Sequence, residues 1–131
     1  MGRYYDGDIE GKFWFGVQSS DDASYFGGNE EVEKDEDGIP LEISYSFTKE
    51  DLDDIDSGLS DCKEKLAGYH HSLSEFFEAN HGYNDDMLSK YLGVTKMEVR
   101  DLLEWYARYT LGNKIKNCVV EKGQCNFTCE T

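Results

Sequence analysis

The stretch that decides the fold lies between residues 48 and 79 and reads TKEDLDDIDSGLSDCKEKLAGYHHSLSEFFEA. Its apolar residues recur at spacings that alternate between three and four. Such spacing is typical of a helix that packs one face against a partner helix. We call this row the seam. It consists of Leu52, Ile55, Leu59, Leu66, Tyr69, Leu73 and Phe76, with Cys62 as a small core residue in the same row.

The same stretch carries the signals of a helix start. Thr48 is a suitable N-cap, and Glu50 and Asp51 place negative charge in the first turn, where the helix dipole favours it. A continuous helix of roughly 30 residues is about 45 Å long, whereas a globule of this chain length has a radius of gyration of about 14 Å. We therefore predict that a second copy of the chain covers the seam in a homodimer. A kink near Gly58 or Gly68 is the alternative.

The residues before this stretch have the composition of a small antiparallel sheet. Segment 1–28 is rich in aromatic residues and glycines, and residues 12–18 are a strand candidate. Segment 29–38 is polar and acidic and is predicted to be a loop. In residues 41–47 apolar and polar side chains alternate, as in a strand with one buried face. We predict one α+β domain over residues 1–131. Its small N-terminal antiparallel sheet is placed in residues 3–47 and its helical half in residues 48–131.

The second half of the chain is predicted to add two helices after the long one. A short helix is expected over residues 84–92. Thr95 and Glu98 form a capping box for the next helix, which is predicted to end near residues 118–119, before Gly123. The last eight residues are predicted to form an edge strand or a tail.

Within this half, Leu88, Ser89, the turn 92–95, Val99 and Leu102 follow the pattern of two helices that cross closely. In this pattern residues 85–104 resemble a helix-turn-helix, and the resemblance implies a DNA-binding regulator. A helix that reads a DNA groove needs an excess of positive charge. The second helix instead mixes both signs, with Glu98, Asp101 and Glu104 beside Lys96, Arg100 and Arg108. Packing of the two helices is therefore the favoured interpretation, and DNA binding is the second alternative function.

Charge is the strongest compositional signal. The chain has a formal net charge of -15, and residues 1–61 hold 18 acidic and 4 basic side chains. An acidic half repels phosphate, so direct nucleic-acid binding is not favoured. Its natural partners are basic protein surfaces, although a purely solubilising surface is also consistent with the charge. No apolar run approaches the about 18 residues of a membrane span, and the N-terminus lacks a signal peptide, so a cytoplasmic protein is predicted.

The acidic residues of the long helix suggest a function. Carboxylates along one rigid helix form a negative stripe that can take the place of nucleic-acid phosphates in the groove of a basic protein. In composition the chain resembles the small acidic inhibitor proteins of viruses and phages. The first hypothesis is therefore a non-catalytic inhibitor that binds a basic partner, of the anti-defence or nucleic-acid-mimic type. The predicted contact residues are Glu50, Asp51, Asp53, Asp54, Asp56 and Asp61.

The aromatic N-terminus suggests a first alternative, a protein that binds or sequesters a nucleotide or cyclic nucleotide. Aromatic rings stack on bases, and cationic side chains meet phosphate. The candidate ligand-binding residues are Arg3, Tyr4, Tyr5, Lys12 and Trp14.

No catalytic or phosphate-binding motif is present in the sequence, so an enzyme is not predicted. The four cysteines lack the spacing of a zinc site and are expected to be thiols, so neither a metal nor a cofactor is predicted.

Overall fold

The computed structural model describes residues 4–14, 18–80 and 85–131. These residues form five strands and four α-helices in an α+β fold, as the sequence predicted. The strands are β1 (Tyr4–Gly7), β2 (Gly11–Lys12), β3 (Asn29–Lys34), β4 (Pro40–Thr48) and β5 (Gln124–Glu130), and the helices are α1 (Leu52–Leu66), α2 (Tyr69–Ala79), α3 (Asp85–Leu92) and α4 (Lys96–Lys122). Two 3₁₀ helices, Asp22–Phe26 and Lys49–Asp51, precede β3 and α1.

The strands form one antiparallel sheet in the order β2-β1-β5-β4-β3. The C-terminal strand β5 lies between β1 and β4 and pairs with both. The prediction of an edge strand or a tail for the last eight residues is therefore corrected. The helical part ends at Lys122, and the sheet contains residues from both ends of the chain.

Two local predictions in the N-terminal half are wrong, whereas the alternating strand is confirmed as β4. Segment 29–38 was predicted to be a loop, yet β3 takes up its first six residues because an exposed edge strand tolerates charged side chains. The strand over 12–18 is not found, since β2 ends at Lys12. Among the described residues that follow, Gln18 N–H donates to Trp14 O at 2.9 Å, and the Gln18 side chain accepts the backbone N–H of Trp14. Residues 15–17 of that segment lie outside the described residues.

The prediction of one long continuous helix is also wrong. The structure instead shows a break near Gly68, which was the alternative prediction. Helix α1 ends at Leu66, and α2 begins at Tyr69. Ala67 and Gly68 both adopt left-handed backbone conformations, with φ of 49° and 88°. A helix cannot continue through two residues of this kind, so the chain changes direction here.

Because of this break, the chain covers the seam itself. Ile55, Leu59, Leu66, Leu73 and Phe76 are all 6% exposed or less in the single chain. Their cover is largely α4, whose residues share two hydrophobic clusters with them. One cluster lies between the sheet and the pair α1–α4, and the other lies among α2, α3 and α4. Of the seam residues, Leu52 and Tyr69 remain partly exposed, and the structure gives no support to the predicted homodimer through the seam.

The longest helix is α4, and both of its ends follow the sequence signals. The Thr95 hydroxyl accepts the Glu98 N–H at 3.2 Å, as expected of the capping box. Gly123 ends the helix with φ of 84°. Helix α4 thus extends three residues beyond the predicted end at Val119. Asn84, the first residue of the short helix predicted over 84–92, lies outside the described residues.

Helices α1 and α4 approach each other around one aromatic ring. Phe26, from the 3₁₀ helix before β3, is fully buried between them. It lies against two glycines, Gly58 on α1 and Gly112 on α4. A Cβ added at Gly58 would lie 2.7 Å from the ring, and one at Gly112 would overlap it and also meet Leu59. The two glycines therefore make the space that Phe26 occupies.

We predict that Gly112→Ala destabilises the protein. In a helix interior this change ordinarily stabilises by up to about 1 kcal/mol. Here the new methyl group overlaps the Phe26 ring, and overpacking costs about 1–3 kcal/mol, so we expect a net loss of about 1–2 kcal/mol in chemical denaturation.

The matched control is the same substitution in a Phe26→Leu background, where the ring is absent. There Gly112→Ala should be neutral or stabilising. A net gain in the wild-type background would contradict the proposed packing.

Candidate protein-binding surface

Within the described residues, helices cover only one face of the five-stranded sheet. Its inner face carries the buried side chains of β4 and β5, such as Tyr45 and Phe127. The opposite side chains along each strand form what we call the outer face, which lies away from this core. Its residues, assigned from the strand register, are Tyr4, Asp6, Lys12, Asn29, Glu31, Glu33, Glu42, Ser44, Ser46, Thr48, Gln124, Asn126, Thr128 and Glu130.

The middle of the outer face is a shallow concavity of about 760 Å³. Its floor includes the short side chains of Ser44, Ser46 and Thr128, and the acidic residues Asp6 and Glu31 also line it. Short residues on central strands with longer ones on either side make this part of the sheet concave. Hydroxyl groups donate and accept hydrogen bonds, so such a floor suits polar groups of a partner.

One end of the outer face carries three carboxylates on adjacent strands, which we call the carboxylate row. Glu33 of β3 lies opposite Glu42 of β4, and Glu42 lies opposite Glu130 of β5. A hydrogen bond with Glu33 and the charge of Glu33 raise the pKa of Glu42. Like charges directly opposite each other destabilise a sheet, so the row costs stability at neutral pH.

Basic residues compensate carboxylates elsewhere in the molecule. The ion pairs among the described residues are Lys96–Asp86, Arg108–Asp22, Arg108–Glu104 and Lys116–Asp56. All of them involve residues of the helical layer. No member of the carboxylate row belongs to an ion pair within the described part of the chain. The outer face thus presents unpaired negative charge to solvent.

The turn between β3 and β4 extends this acidic surface. The Asp35 carboxylate accepts the backbone N–H groups of Asp37 and Ile39, each at 2.9 Å. These bonds fix the turn, and they leave the exposed side chains of Glu36 and Asp37 at its tip.

The predicted acidic stripe on the first long helix is only partly available. Asp51 accepts the Thr48 N–H at 2.8 Å, Asp56 pairs with Lys116 at 2.6 Å, and Asp61 accepts the Tyr25 hydroxyl at 3.3 Å. These three carboxylates hold elements of the fold together. The other predicted contact residues, Glu50, Asp53 and Asp54, are exposed.

Of the predicted nucleotide-binding residues, Tyr4, Tyr5 and Lys12 line one shallow pocket, whereas Trp14 lies apart from them. Tyr5 is buried, and its hydroxyl accepts a hydrogen bond from Lys114 at 2.9 Å. Trp14 packs in the other hydrophobic cluster, with its ring 5.2 Å from that of Phe77. Tyr4 is exposed, and Lys12 lies 5.9 Å from its ring. Arg3 lies outside the described residues.

The cysteines do not form a reactive or metal-binding cluster in the described residues. All four are free and buried. Burial raises the pKa of Cys62 and of Cys129 to about 12, so both thiols are protonated at neutral pH. No group of three or more histidine, cysteine or acidic side chains in the described segments is arranged to hold a metal ion.

His70 lies at the start of α2 in an unusual environment. Its ring is 4.2 Å from that of His71, and its buried Nδ1 has no hydrogen-bond partner among the described residues. Burial lowers the pKa of His70, and the charges of His71 and Lys63 act in the same direction. The neutral form of His70 is therefore the one that fits the fold.

Comparison with known proteins gives no further indication of function. Protein-family models, curated proteins and solved structures were searched, and none matches the chain. No helix in the described segments has the length and apolar character to cross a membrane.

We predict that Glu42→Gln raises the melting temperature at pH 7. The folded-state pKa of Glu42 is raised, so its ionised form is less favourable in the folded chain than in the unfolded chain. The penalty grows as pH rises through the folded pKa and vanishes below the unfolded value of about 4.3. Thermal unfolding of the variant should show the gain at pH 7 and no gain at about pH 4.

Glu31→Gln is the matched control, since Glu31 lies opposite Ser44 and not opposite a carboxylate. It should bring no comparable gain. Equal increases in melting temperature from the two variants would show that net charge, and not the carboxylate row, determines the increase.

We also predict that His70 makes stability fall as pH drops below about 6.5, the pKa of an unfolded-state histidine, and through the lowered folded-state pKa. A histidine with a lowered folded pKa binds a proton more readily in the unfolded chain, so stability is lost as pH falls through about 6.5. His70→Gln should flatten this slope in urea denaturation, whereas His71→Gln should retain part of it. An unchanged slope in His70→Gln would assign the pH dependence to other groups.

Proposed function

We propose that this protein is a non-catalytic interaction protein that binds a basic surface of a partner protein through the outer face of its sheet. The observation that carries the proposal is the carboxylate row. Glu33, Glu42 and Glu130 repel one another and pair with no base in the described chain. Lysine or arginine side chains of a partner would remove that repulsion on binding.

The distribution of charge supports a protein partner over a nucleic acid. Residues 1–61 hold 18 acidic and 4 basic side chains, and they include β3, β4 and most of the acidic outer face. Such a surface repels phosphate and attracts basic proteins over several ångströms. Association with the partner should be fast at low ionic strength and weakened by salt.

More specifically, we propose that the partner is a nucleic-acid-handling or defence protein. The basic groove of such a protein would accept carboxylates in place of phosphates, so this protein would act as an inhibitor of the viral or phage type. Four buried free thiols are compatible with a reducing compartment, and we propose the cytoplasm as its location.

The proposal predicts that charge reversal on the sheet weakens binding more than charge reversal on α1. The sheet variant carries Glu33→Lys, Glu42→Lys and Glu130→Lys. The helix variant carries Glu50→Lys, Asp53→Lys and Asp54→Lys and has the same net charge. The probe is a fluorescent deca-lysine peptide, measured by anisotropy at low ionic strength. The sheet variant should bind about tenfold more weakly, which is about 1.4 kcal/mol, and the helix variant less than about threefold more weakly.

Circular dichroism shows whether both variants remain folded. Equal weakening in the two folded variants would overturn the choice of surface, because net charge alone would then explain the binding. Absence of binding by the wild-type protein would overturn the proposed function.

A further inference from the structure

The edge of the sheet beside the outer face is open. Strand β3 is the last strand in the sheet order and pairs only with β4 among the described strands. All six of its residues, from Asn29 to Lys34, are exposed. An edge strand directs every second pair of backbone N–H and C=O groups away from the sheet, where another strand can pair with them.

The two faces of β3 differ in chemistry. Glu31 and Glu33 belong to the outer face, opposite Ser44 and Glu42. Val32 lies opposite Ile43, whose side chain is buried on the inner face. Glu30, on the same side as Val32, lies opposite Tyr45, and its carboxylate accepts the Ser24 hydroxyl. A strand added beside β3 would thus meet Glu31 and Glu33 on one side, and Val32 with the hydrogen-bonded Glu30 on the other.

The exposed apolar surface beside this edge includes more residues than Val32. Val32, Ile39 and Leu41 are 41%, 58% and 52% exposed, and all three lie at the turn end of the β3–β4 hairpin. They lie close to Asp35, Glu36 and Asp37 in the chain. Aliphatic side chains exposed together beside unpaired acids are typical of a surface that a partner covers.

Charge decides which partner fits. Pairing of two copies along β3 would bring Glu30, Glu31 and Glu33 of one copy close to the same residues of the other. Like charges on adjacent strands destabilise the pairing, and each copy carries a net charge of -15. A second copy is therefore a poor occupant, whereas a segment with lysine or arginine at alternate positions complements the edge.

We propose that the partner binds as a sixth strand along β3, through an extended segment in which basic and aliphatic residues alternate. Its basic side chains face Glu31 and Glu33, and its aliphatic side chains cover Val32 and the neighbouring Ile39 and Leu41. Backbone hydrogen bonds along an edge give affinity, and alternate side chains give specificity. This inference rests on the proposed function and specifies the form of the basic ligand.

The test compares two fluorescent octapeptides of identical composition, one with lysine and valine alternating and one with four lysines followed by four valines. Both carry the same charge, but only the alternating peptide presents basic and aliphatic side chains on opposite faces of a strand. We expect the alternating peptide to bind the full chain about tenfold more tightly. Equal affinities would overturn the inference. Deca-lysine binding measured alongside tests the proposed function separately, so the two failures are distinguishable.

Backbone pairing is tested with two N-methylated forms of the alternating peptide, one methylated at the lysines and one at the valines. In an added strand, only one of these two sets of N–H groups faces β3. One methylated peptide should therefore lose binding and the other should keep it. Loss in both, or in neither, would contradict strand addition.

The aliphatic contacts are tested with the variant Ile39→Ser and Leu41→Ser, both at exposed positions. It should weaken binding of the alternating peptide severalfold and leave deca-lysine binding unchanged. A matched variant of exposed aliphatic and aromatic residues elsewhere, Val120→Ser and Tyr91→Ser, should change neither. If the hairpin variant binds the alternating peptide as tightly as the wild type, the aliphatic part of the inference is wrong.

Discussion

The pairing of β5 with both β1 and β4 is the constraint on which the rest of the structure depends. Strand β5 connects the N-terminal pair β1–β2 to the hairpin β3–β4, which share no direct pairing. The end of β1 is fixed to it by two hydrogen bonds, from Asp8 N–H to Asn126 O and from Asn126 N–H to the Asp8 carboxylate. The outer face and the carboxylate row exist only because this central strand is in place.

The central strand also explains why the helices lie on a single face. Helix α4 runs directly into β5 through Gly123, so α4 must lie close to the sheet. Helix α1 packs on α4 around Phe26, and the break at Ala67–Gly68 brings α2 back onto the same helix. Helices α1 and α4 thus cover one face of the sheet, α2 and α3 pack with α4, and nothing in the described chain covers the opposite face of the sheet.

Local patterns in the sequence predicted the individual elements of this fold better than they predicted its long-range pairings. The alternation over 41–47, the capping box at Thr95 and the stop at Gly123 depend on nearby residues, and each is found. The heptad spacing of the seam was real, but spacing alone does not tell whether the covering helix belongs to the same chain or to another. Only the two left-handed residues at 67–68 decide between these arrangements. A kink near Gly68 was predicted only as the alternative to a homodimer.

The candidate surface was missed for a similar reason. In β5 the residues Gln124, Asn126, Thr128 and Glu130 alternate with Cys125, Phe127 and Cys129, which is a strand pattern with one buried face. The cysteines were interpreted only as thiols without the spacing of a zinc site, and the last eight residues only as an edge strand or a tail, so this period of two was not used. Even a correct strand assignment would not have placed Glu42 opposite both Glu33 and Glu130, because that placement depends on pairing between distant segments.

The placement of the acids favours the proposed binding surface over a merely solubilising one. Solubility requires net charge, which carboxylates spaced apart on loops and helix faces supply without repulsion between neighbours. Three glutamates opposed across adjacent strands reduce stability. They add little more solubility than three glutamates placed far apart would add. The available bases, such as Arg108 and Lys116, are meanwhile engaged with acids of the helical layer. If a partner's basic residues complete this surface, the free chain is expected to lose stability there. The observed cost is concentrated on the face of the sheet that nothing in the described chain covers.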